Sequence, residues 1–369
     1  MHRVYDAVAS QIDTCEFLAF DRYMDIVLHA PGLGYYSAGA SKFGPSGDFV
    51  TAPEISPLFG VSLARQLAEL IEAGCTRIVE LGAGTGRMAA DILRALARMD
   101  CLPDTYEIVE LSADLKARQA ATLDGLPPNL GTRLRWHDEL PPLADTIVLG
   151  NEVLDAMPVS LVRTHDGAIE ELGVTLTPDR AGLAWCARPA TGELERIARA
   201  LDLGEGYTTE IHFAAHGLVR SLAERLTRGL LLFIDYGFPV SEYYHPQRSG
   251  GTLMCHYRHH AHTDPLCLPG LQDITAHIDF SALARVAAET GLDVLGYTQQ
   301  ARFLMNCGLL EALAAYDPND VARYAPACAA AQKLLSPAEM GELFKVIAFG
   351  RGIEPPLLGF RSGDRSGLL

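Results

Sequence analysis

The sequence lacks the patterns that mark disulfide-rich and membrane proteins. None of its 8 cysteines falls in a Cys-x-x-Cys pair, which indicates reduced, mostly structural thiols of an intracellular protein. No apolar run approaches the roughly 18 residues of a membrane helix, so we expect no membrane insertion. The N-terminus has neither a hydrophobic signal core nor the arginine-rich, acid-poor character of a mitochondrial presequence. We therefore expect a cytoplasmic bacterial protein, or a mitochondrial matrix protein if the source is eukaryotic.

Basic residues are also in short supply. The 369 residues include 30 Lys and Arg against 46 Asp and Glu, which gives a net charge of -16 and a pI near 5.1. A protein that binds a phosphate backbone usually carries a basic stripe, so we expect no nucleic-acid partner. The hydrophobic fraction of 49% is sufficient for a sizeable core, and the length allows one large domain or two modest ones.

The stretch Arg77–Met88 is rich in glycine. Apolar residues ahead of the glycines predict a short buried strand, and the apolar spacing of Met88–Met99 predicts a helix. Gly82, Gly84 and Gly86 lie between them and predict a tight turn. Glycines let a ligand approach the backbone closely, and a helix N-terminus offers free N–H groups. The stretch is therefore a candidate site for a nucleotide-like ligand.

The glycine spacing selects among such ligands. A dinucleotide fingerprint would need its third glycine at Arg87, and a P-loop would need Gly-Lys-Ser/Thr. S-adenosylmethionine (SAM) has a cationic amino-acid tail and no phosphate, and Glu80 beside the turn suits that tail. The predicted strand Thr105–Glu110 ends in an acid where a Rossmann-type unit holds the ribose hydroxyls. We predict a SAM site, while a turn that serves packing alone and an ordinary strand-end charge at Glu110 remain the alternatives.

The chain as a whole alternates strands and helices in the doubly wound manner. The predicted strands are the one before Gly82 and residues 105–110, 133–136, 145–150, 230–235, 294–298 and 344–349. The predicted helices cover 16–30, 56–73 with Ser56 as N-cap, 88–99, 113–123 and 280–290. Residues 159–227 interrupt this pattern as a small β-rich lobe with a helix near 218–226, and residues 301–343 interrupt it as a helical insertion.

Longer motifs recur in order along most of the chain. They are Gly34-Tyr-Tyr36, Gly47-Asp-Phe-Val-Thr-Ala-Pro-Glu-Ile-Ser56, Glu80-Leu-Gly-Ala-Gly-Thr-Gly86, Gly150-Asn-Glu-Val-Leu-Asp-Ala-Met-Pro158, Ile234-Asp-Tyr-Gly237, Gly250-Gly-Thr-Leu253 and Asp273-Ile-Thr-Ala-His-Ile-Asp-Phe280. Together they resemble the MidA-like family of class I SAM-dependent methyltransferases. That family includes a mitochondrial assembly factor of respiratory complex I that methylates an arginine of a complex I subunit. The resemblance implies a Rossmann-like core, SAM as cofactor and a protein substrate, with a respiratory-complex subunit as one candidate.

Carboxylates near the fourth predicted strand are the best candidates for catalysis. A guanidinium stays protonated, so a site that methylates arginine needs acids to hold it and accept developing charge. Glu152 and Asp155 follow that strand, where doubly wound folds place their ligands, and Asn151 precedes them. The alternative is that Asn151 and Glu152 cap a following helix. Asp235 or the adjacent Tyr236 could face the cleft, but Asp235 could equally form a strand-end turn.

Further residues are predicted to touch the cofactor. Leu111 follows Glu110, and Asp138 follows the third predicted strand, where class I enzymes often place an acid against the adenine amino group. Thr51 and Glu54, together with Asp48 and Phe49, lie in an N-terminal loop that we predict to cover the cofactor. A loop that packs only on itself is the alternative.

We divide the chain into six segments. They are an N-terminal helical lid (1–74), the first half of the SAM-binding core (75–158), an inserted lobe (159–227), the second half of the core (228–300), a helical insertion (301–343) and the last core strand with a tail (344–369). The histidines at 256, 259, 260 and 262 lack a thiolate pair or a His-Glu-x-x-His helix, so we predict no metal site there. The sequence leaves open a homodimer, a methyltransferase acting on another residue or a small molecule, and a SAM-binding assembly protein with little catalysis. A nicotinamide oxidoreductase is disfavoured by the missing third glycine.

Overall fold

A computed structural model describes residues 2–37 and 50–369 of the chain. The helices are α1 His2–Cys15, α2 Phe20–His29, α3 Ala52–Ile55, α4 Pro57–Glu72, α5 Arg87–Arg98, α6 Ala113–Leu123, α7 Pro128–Gly131, α8 Gly192–Ala200, α9 Phe213–Arg225, α10 Val240–Tyr243, α11 Phe280–Glu289, α12 Gln300–Asn306, α13 Leu309–Ala314, α14 Val321–Leu335 and α15 Met340–Leu343. The strands are β1 Leu18–Ala19, β2 Arg77–Leu81, β3 Thr105–Val109, β4 Leu134–His137, β5 Leu143–Asn151, β6 Ser160–His165, β7 Ala168–Leu176, β8 Leu183–Pro189, β9 Thr208–Ile211, β10 Leu226–Phe238, β11 Met254–Tyr257, β12 His260–His262, β13 Asp273–Thr275, β14 Ile278–Asp279, β15 Asp293–Gln299 and β16 Phe344–Arg351. Asp48 and Phe49 lie outside the described residues.

The central sheet has the strand order β15-β16-β10-β5-β2-β3-β4, with the short β14 beside the end of β10. The run from β10 to β4 is parallel, whereas β16 is antiparallel to both β10 and β15. All seven predicted core strands are confirmed. The chain moves outward from β2 through β3 to β4, and then returns to the other side of β2 as β5. Ligands of open α/β sheets bind at this switch point, outside the carboxyl ends of the strands.

The central sheet is covered by helices on both faces. Val79, Val148 and Leu231 lie in register on neighbouring strands and pack on the face covered by α9 and α11. The intervening residues, such as Ile78, pack on the opposite face against α4, α5 and α12. Burial on both faces explains why these strands are continuously apolar. Among the residues described, no helix combines the length and hydrophobicity needed to span a bilayer.

The N-terminal segment differs from its prediction. The helix predicted over 16–30 is wrong at its start, because Glu16 has a left-handed φ of 58° that ends α1, and α2 begins only at Phe20. Leu18 and Ala19 between these helices form β1, which pairs with β7. The predicted N-cap is confirmed: the Ser56 side chain accepts a hydrogen bond from the Leu58 N–H at 3.2 Å and starts α4.

Two small sheets lie beside the central one. The first is antiparallel and joins β1 to β7, β6 and β9, with β8 beside β7, so the N-terminal segment completes the sheet of the inserted lobe. The second joins β12, β11 and β13, and its β11–β12 hairpin contains the histidine-rich tract. α9 is longer than the predicted 218–226 helix, and its Val219 and Leu222 pack on the central sheet. The segment 301–343 is largely helical, as predicted.

Candidate active site

The glycine turn lies between β2 and α5, at the switch point of the sheet. Gly82, Gly84 and Gly86 all have left-handed φ values, of 59°, 53° and 80°, which explains why the turn uses glycine. A Cβ added at Gly82 would come within 3.2 Å of Val153, and one added at Gly86 within 3.3 Å of the Gln119 backbone. A Cβ at Gly84 would meet no described atom within 4 Å. The turn is therefore packed at its two ends and open at its centre.

Glu80 lies beneath this turn and is 1% exposed. Its Oε2 accepts a hydrogen bond from the Tyr106 hydroxyl at 2.7 Å. Burial, reinforced by the nearby Glu110 and partly offset by the Tyr106 hydrogen bond, raises the pKa of Glu80 to about 7. A cationic group at the turn would favour the ionised form, so the environment of Glu80 suits a positively charged ligand.

Glu110 follows β3 directly and faces the same turn. Its carboxylate accepts hydrogen bonds from the Ser112 N–H at 2.9 Å and from Gln119 Nε2 at 3.0 Å. A carboxylate has about four lone-pair sites, so acceptor capacity remains for a ligand. Leu111 beside it is 80% exposed, an unusual position for a large apolar side chain. Asp138 follows β4 and forms an exposed ion pair with Lys116.

Gln119 on α6 connects these parts, although no sequence motif singled it out. It is 0% exposed, and its Nε2 donates both to Glu110 and to the carbonyl oxygen of Gly84 at 3.2 Å. Its Oε1 accepts from Trp136 Nε1 at 3.1 Å. One amide thus fixes the carboxylate after β3 relative to the centre of the glycine turn.

The N-terminal segment reaches this site through α3. Thr51 is the residue before α3, and Glu54 within α3 accepts a hydrogen bond from the Thr85 hydroxyl in the glycine turn. The Ala52 N–H, also in α3, points to Glu152 Oε1 at 3.4 Å. Glu54 therefore contacts the glycine turn, whereas the predicted cover over the cofactor stays a prediction.

Glu152 follows β5 in a strained turn rather than at a helix. Its φ of 53° is left-handed, and its N–H donates to the Ile234 carbonyl of β10 at 2.9 Å. Residues 152–159 contain no helix, so the predicted alternative of a helix cap is wrong. Asn151 Nδ2 donates to Glu152 Oε1 at 3.0 Å. Burial, with the neighbouring Asp155, raises the pKa of Glu152 to about 8.

Asp155 and Asp235 lie beside this turn with different surroundings. Asp235 Oδ2 accepts the Leu154 N–H at 2.9 Å and the Asp155 N–H at 3.3 Å, while its Oδ1 accepts the Tyr236 N–H at 2.9 Å. Its carboxylate therefore holds the turn in place. Asp155 Oδ2 accepts a hydrogen bond from the Tyr236 hydroxyl, and burial raises the pKa of Asp155 to about 6. Burial, with the charges of Asp155 and Glu152, raises the pKa of Asp235 well above its usual range.

Two acceptors at this turn remain unpaired. Asn151 Oδ1 and Asp155 Oδ1 are buried, and no donor from residues 2–37 or 50–369 reaches either of them. Leaving a buried acceptor unpaired costs about 1–3 kcal/mol, so both atoms suit a ligand that brings hydrogen-bond donors. Asp273 of β13 adds another buried carboxylate nearby and accepts from the Tyr36 hydroxyl at 2.7 Å. Neither Tyr36 nor Asp273 was predicted from the sequence to lie in a site.

The fold and the two halves of this site define a class of protein. A Rossmann-like sheet carries a glycine turn with one acid near the end of β2 and another directly after β3, and a second acidic cluster lies after β5. A family model described as "Putative S-adenosyl-L-methionine-dependent methyltransferase" matches residues 62–298. The chain belongs to this family of SAM-dependent methyltransferases, and SAM is its cofactor.

Curated and solved relatives agree with this assignment. The chain is 32% identical to the mitochondrial protein arginine methyltransferase NDUFAF7 of Rattus norvegicus, over 78% of this chain and 70% of the relative. It is 28% identical to the Drosophila melanogaster homologue, over 92% of this chain and 84% of the relative. A crystal structure from Burkholderia thailandensis bound to S-adenosyl-homocysteine has a TM-score of 0.96 and 50% identity, and covers 100% of this chain and 97% of that one.

Proposed function

We propose that the protein transfers the methyl group of SAM to an arginine side chain of another protein. The observation that carries this proposal is the pair of buried acceptors at the turn after β5, Asn151 Oδ1 and Asp155 Oδ1, which no donor from residues 2–37 or 50–369 reaches. A guanidinium is a planar group with five N–H donors and no acceptor. Its several donors could serve both atoms, whereas a hydroxyl or a secondary amide has only one donor to give. The relatives named as protein arginine methyltransferases support the same choice.

The cofactor is assigned to the other half of the site. The open space over Gly84 and the remaining acceptor capacity of Glu110 fit the backbone-close contact and ribose hydroxyls of SAM. Glu80 is assigned to the cationic amino-acid tail, and Leu111 and Asp138 to the adenine. Thr51 and Glu54 are assigned to the N-terminal loop that covers the bound cofactor. When bound, SAM supplies an electrophilic methyl group on its sulfonium.

The acidic residues have distinct roles in this proposal. Asp155 Oδ1 and Asn151 Oδ1 orient the guanidinium, since aligned reactants need little further covalent help. The nitrogen that gains the methyl group must lose one N–H proton, and Glu152 accepts it. A base is most effective when its pKa lies near the working pH, and the pKa of Glu152 is raised to about 8. Asp235 acts indirectly, because its carboxylate holds the backbone of the turn.

The proposal also covers the protein substrate and the cellular location of the enzyme. A protein substrate follows from the arginine assignment, and a subunit of a respiratory complex remains a candidate because the curated relatives are mitochondrial proteins. A cytoplasmic location in a bacterium, a matrix location in a eukaryote, and a homodimer all stay predictions. The acidic surface, with a net charge of -16, favours a basic target segment.

The test is a single-turnover assay of Glu152→Gln. Purified protein, labelled SAM and an extract from a strain that lacks the gene are mixed, and the modified residue is identified by mass spectrometry. The variant should bind SAM with nearly unchanged affinity but transfer methyl groups about 10²–10³ times more slowly, since it loses both charge stabilisation and the proton acceptor. Glu195→Gln is the matched control, because Glu195 lies partly exposed on α8, away from the acidic cluster, and pairs with Arg199.

Two results would contradict this proposal. Full transfer by Glu152→Gln would remove Glu152 from the mechanism. Label on lysine, glutamine or a small molecule would overturn the arginine assignment and leave the methyltransferase family unchanged.

A further inference from the structure

Tyr236 connects the acidic cluster to the hydrophobic packing behind it. Its ring lies edge-on to His277, with centroids 5.0 Å apart, and edge-on to Phe344 at 5.3 Å. Its backbone N–H is held by Asp235. The hydroxyl of this fixed ring donates to Asp155 Oδ2. A rigid donor therefore meets one oxygen of a carboxylate whose other oxygen is unpaired among the described residues.

We propose that Tyr236 is a positioning residue that locks the Asp155 carboxylate in one orientation, so that Oδ1 faces the methyl-accepting side chain. This inference rests on the proposed function. Asp155 is 5% exposed, and its backbone N–H is already fixed by Asp235. The side chain can still rotate about its two side-chain bonds. The Tyr236 hydrogen bond removes that freedom.

The same hydrogen bond changes the charge state of Asp155. Burial raises the pKa of Asp155, and the Tyr236 hydroxyl opposes that rise because it stabilises the ionised form. Removing the hydroxyl should therefore raise the pKa further. The titratable or charged groups around Asp155 and Tyr236 come from every neighbouring element: His29 of α2, Tyr36, Glu152 after β5, Asp235 of β10, Asp273 of β13, His277 between β13 and β14, and Lys345 of β16.

The first experiment measures this effect without a methyl acceptor. Protein saturated with S-adenosyl-homocysteine is labelled with ¹³C at the aspartate carboxyls, and Asp155 is assigned with Asp155→Asn. Tyr236→Phe should raise the pKa of Asp155 by about one pH unit or more, because the ionised carboxylate loses a strong hydrogen bond. An unchanged titration of Asp155 would overturn the inference.

A matched control separates this effect from general loss of a tyrosine hydroxyl. Tyr244 donates to Asp279 Oδ2 at 3.0 Å in another buried tyrosine–carboxylate pair. Tyr244→Phe should leave the titration of Asp155 unchanged. An equal rise in both variants would show that the effect is not specific to Tyr236, and would overturn the inference. If Tyr236→Phe does not fold, 3-fluorotyrosine at position 236 replaces it. As a stronger donor, it should lower the pKa of Asp155, and no change would again overturn the inference.

The second experiment follows methyl transfer over pH, with labelled SAM and extract from the strain that lacks the gene. If the pKa of Asp155 moves from about 6 to about 7, the loss of kcat/KM in Tyr236→Phe should be about fivefold larger at pH 6 than above pH 8, where only the lost orientation of the ionised carboxylate remains. A purely structural defect would lower kcat/KM equally at every pH, and this result would contradict the inference. Label on a residue other than arginine would refute the proposed function, whereas the carboxyl titration tests Tyr236 independently.

Discussion

Replacing Glu110 by alanine should weaken SAM binding without unfolding the protein. The substitution removes the carboxylate that faces the glycine turn and leaves Gln119 with one bond fewer, although Gln119 Nε2 keeps the Gly84 carbonyl as acceptor. The Ser112 N–H, which also loses its partner, lies at the N-cap of α6 and can turn to water. Most of the loss should therefore appear in ligand binding rather than in the stability of the fold.

The size of the effect follows from the bonds that are lost. A hydrogen bond to a charged group is worth about 1.5–3 kcal/mol, and each 1.4 kcal/mol corresponds to about tenfold in affinity. Losing one such bond to the ribose should weaken binding about 10- to 100-fold, and losing two should weaken it more. Calorimetric titration with S-adenosyl-homocysteine measures this directly.

A control with the same change of charge is available four residues away. Asp114 is half-exposed on α6 and pairs with Arg118, so Asp114→Ala removes one negative charge without touching the turn. It should bind the ligand as tightly as the parent protein. If Glu110→Ala also binds with parental affinity, the assignment of Glu110 to the ribose is wrong.

Two further predictions concern the turn and the acidic cluster. Gly84→Val should abolish SAM binding in a folded protein, because its side chain would enter the open centre of the turn. Gly167→Val, with a similar φ of 71° and equally open surroundings in the β6–β7 hairpin, should lose stability but bind normally in the same titration. Burial raises the pKa of Glu152 from its usual 4.5 to about 8, so ionised Glu152 destabilises the fold increasingly as pH rises between these values. Glu152→Gln should therefore raise the Tm more at pH 8.5 than at pH 5.5. An equal change of Tm at both pH values would show that the pKa of Glu152 is not raised.

The parts of the site that depend on local sequence were predictable. The glycine turn follows from three glycines between an apolar strand and an apolar helix, and the structure gives each of them a left-handed φ. Glu110 and Glu152 follow strands and Asn151 ends one, so the topology alone brings them to one edge of the sheet. The start of α4 was equally clear, because Ser56 and Pro57 are a local capping signal.

The parts that depend on distant contacts were not predictable. Gln119 resembles any polar residue of an amphipathic helix, and its role appears only when α6 packs beside the turn and β4 supplies Trp136. β1 has two residues, and only its pairing with β7 identifies it as a strand. The left-handed residue Glu16 between two helical patterns gave no signal either, because glutamate rarely adopts that conformation. The β1–β7 pairing joins segments more than a hundred residues apart, and the contacts of Gln119 join three separate elements.

The acidic cluster itself supports a cationic substrate on energetic grounds. Glu152, Asp155 and Asp235 lie close enough for their charges to affect one another, and the pKa of each is raised. A fold that needed these side chains only for packing would be more stable with neutral ones, since unpaired buried charges are costly. A guanidinium would offset this cost by supplying a delocalised charge and several donors. The same cation would lower the pKa values of Glu152 and Asp155 toward their usual range. Binding of arginine and ionisation of the cluster should therefore be coupled, each favouring the other.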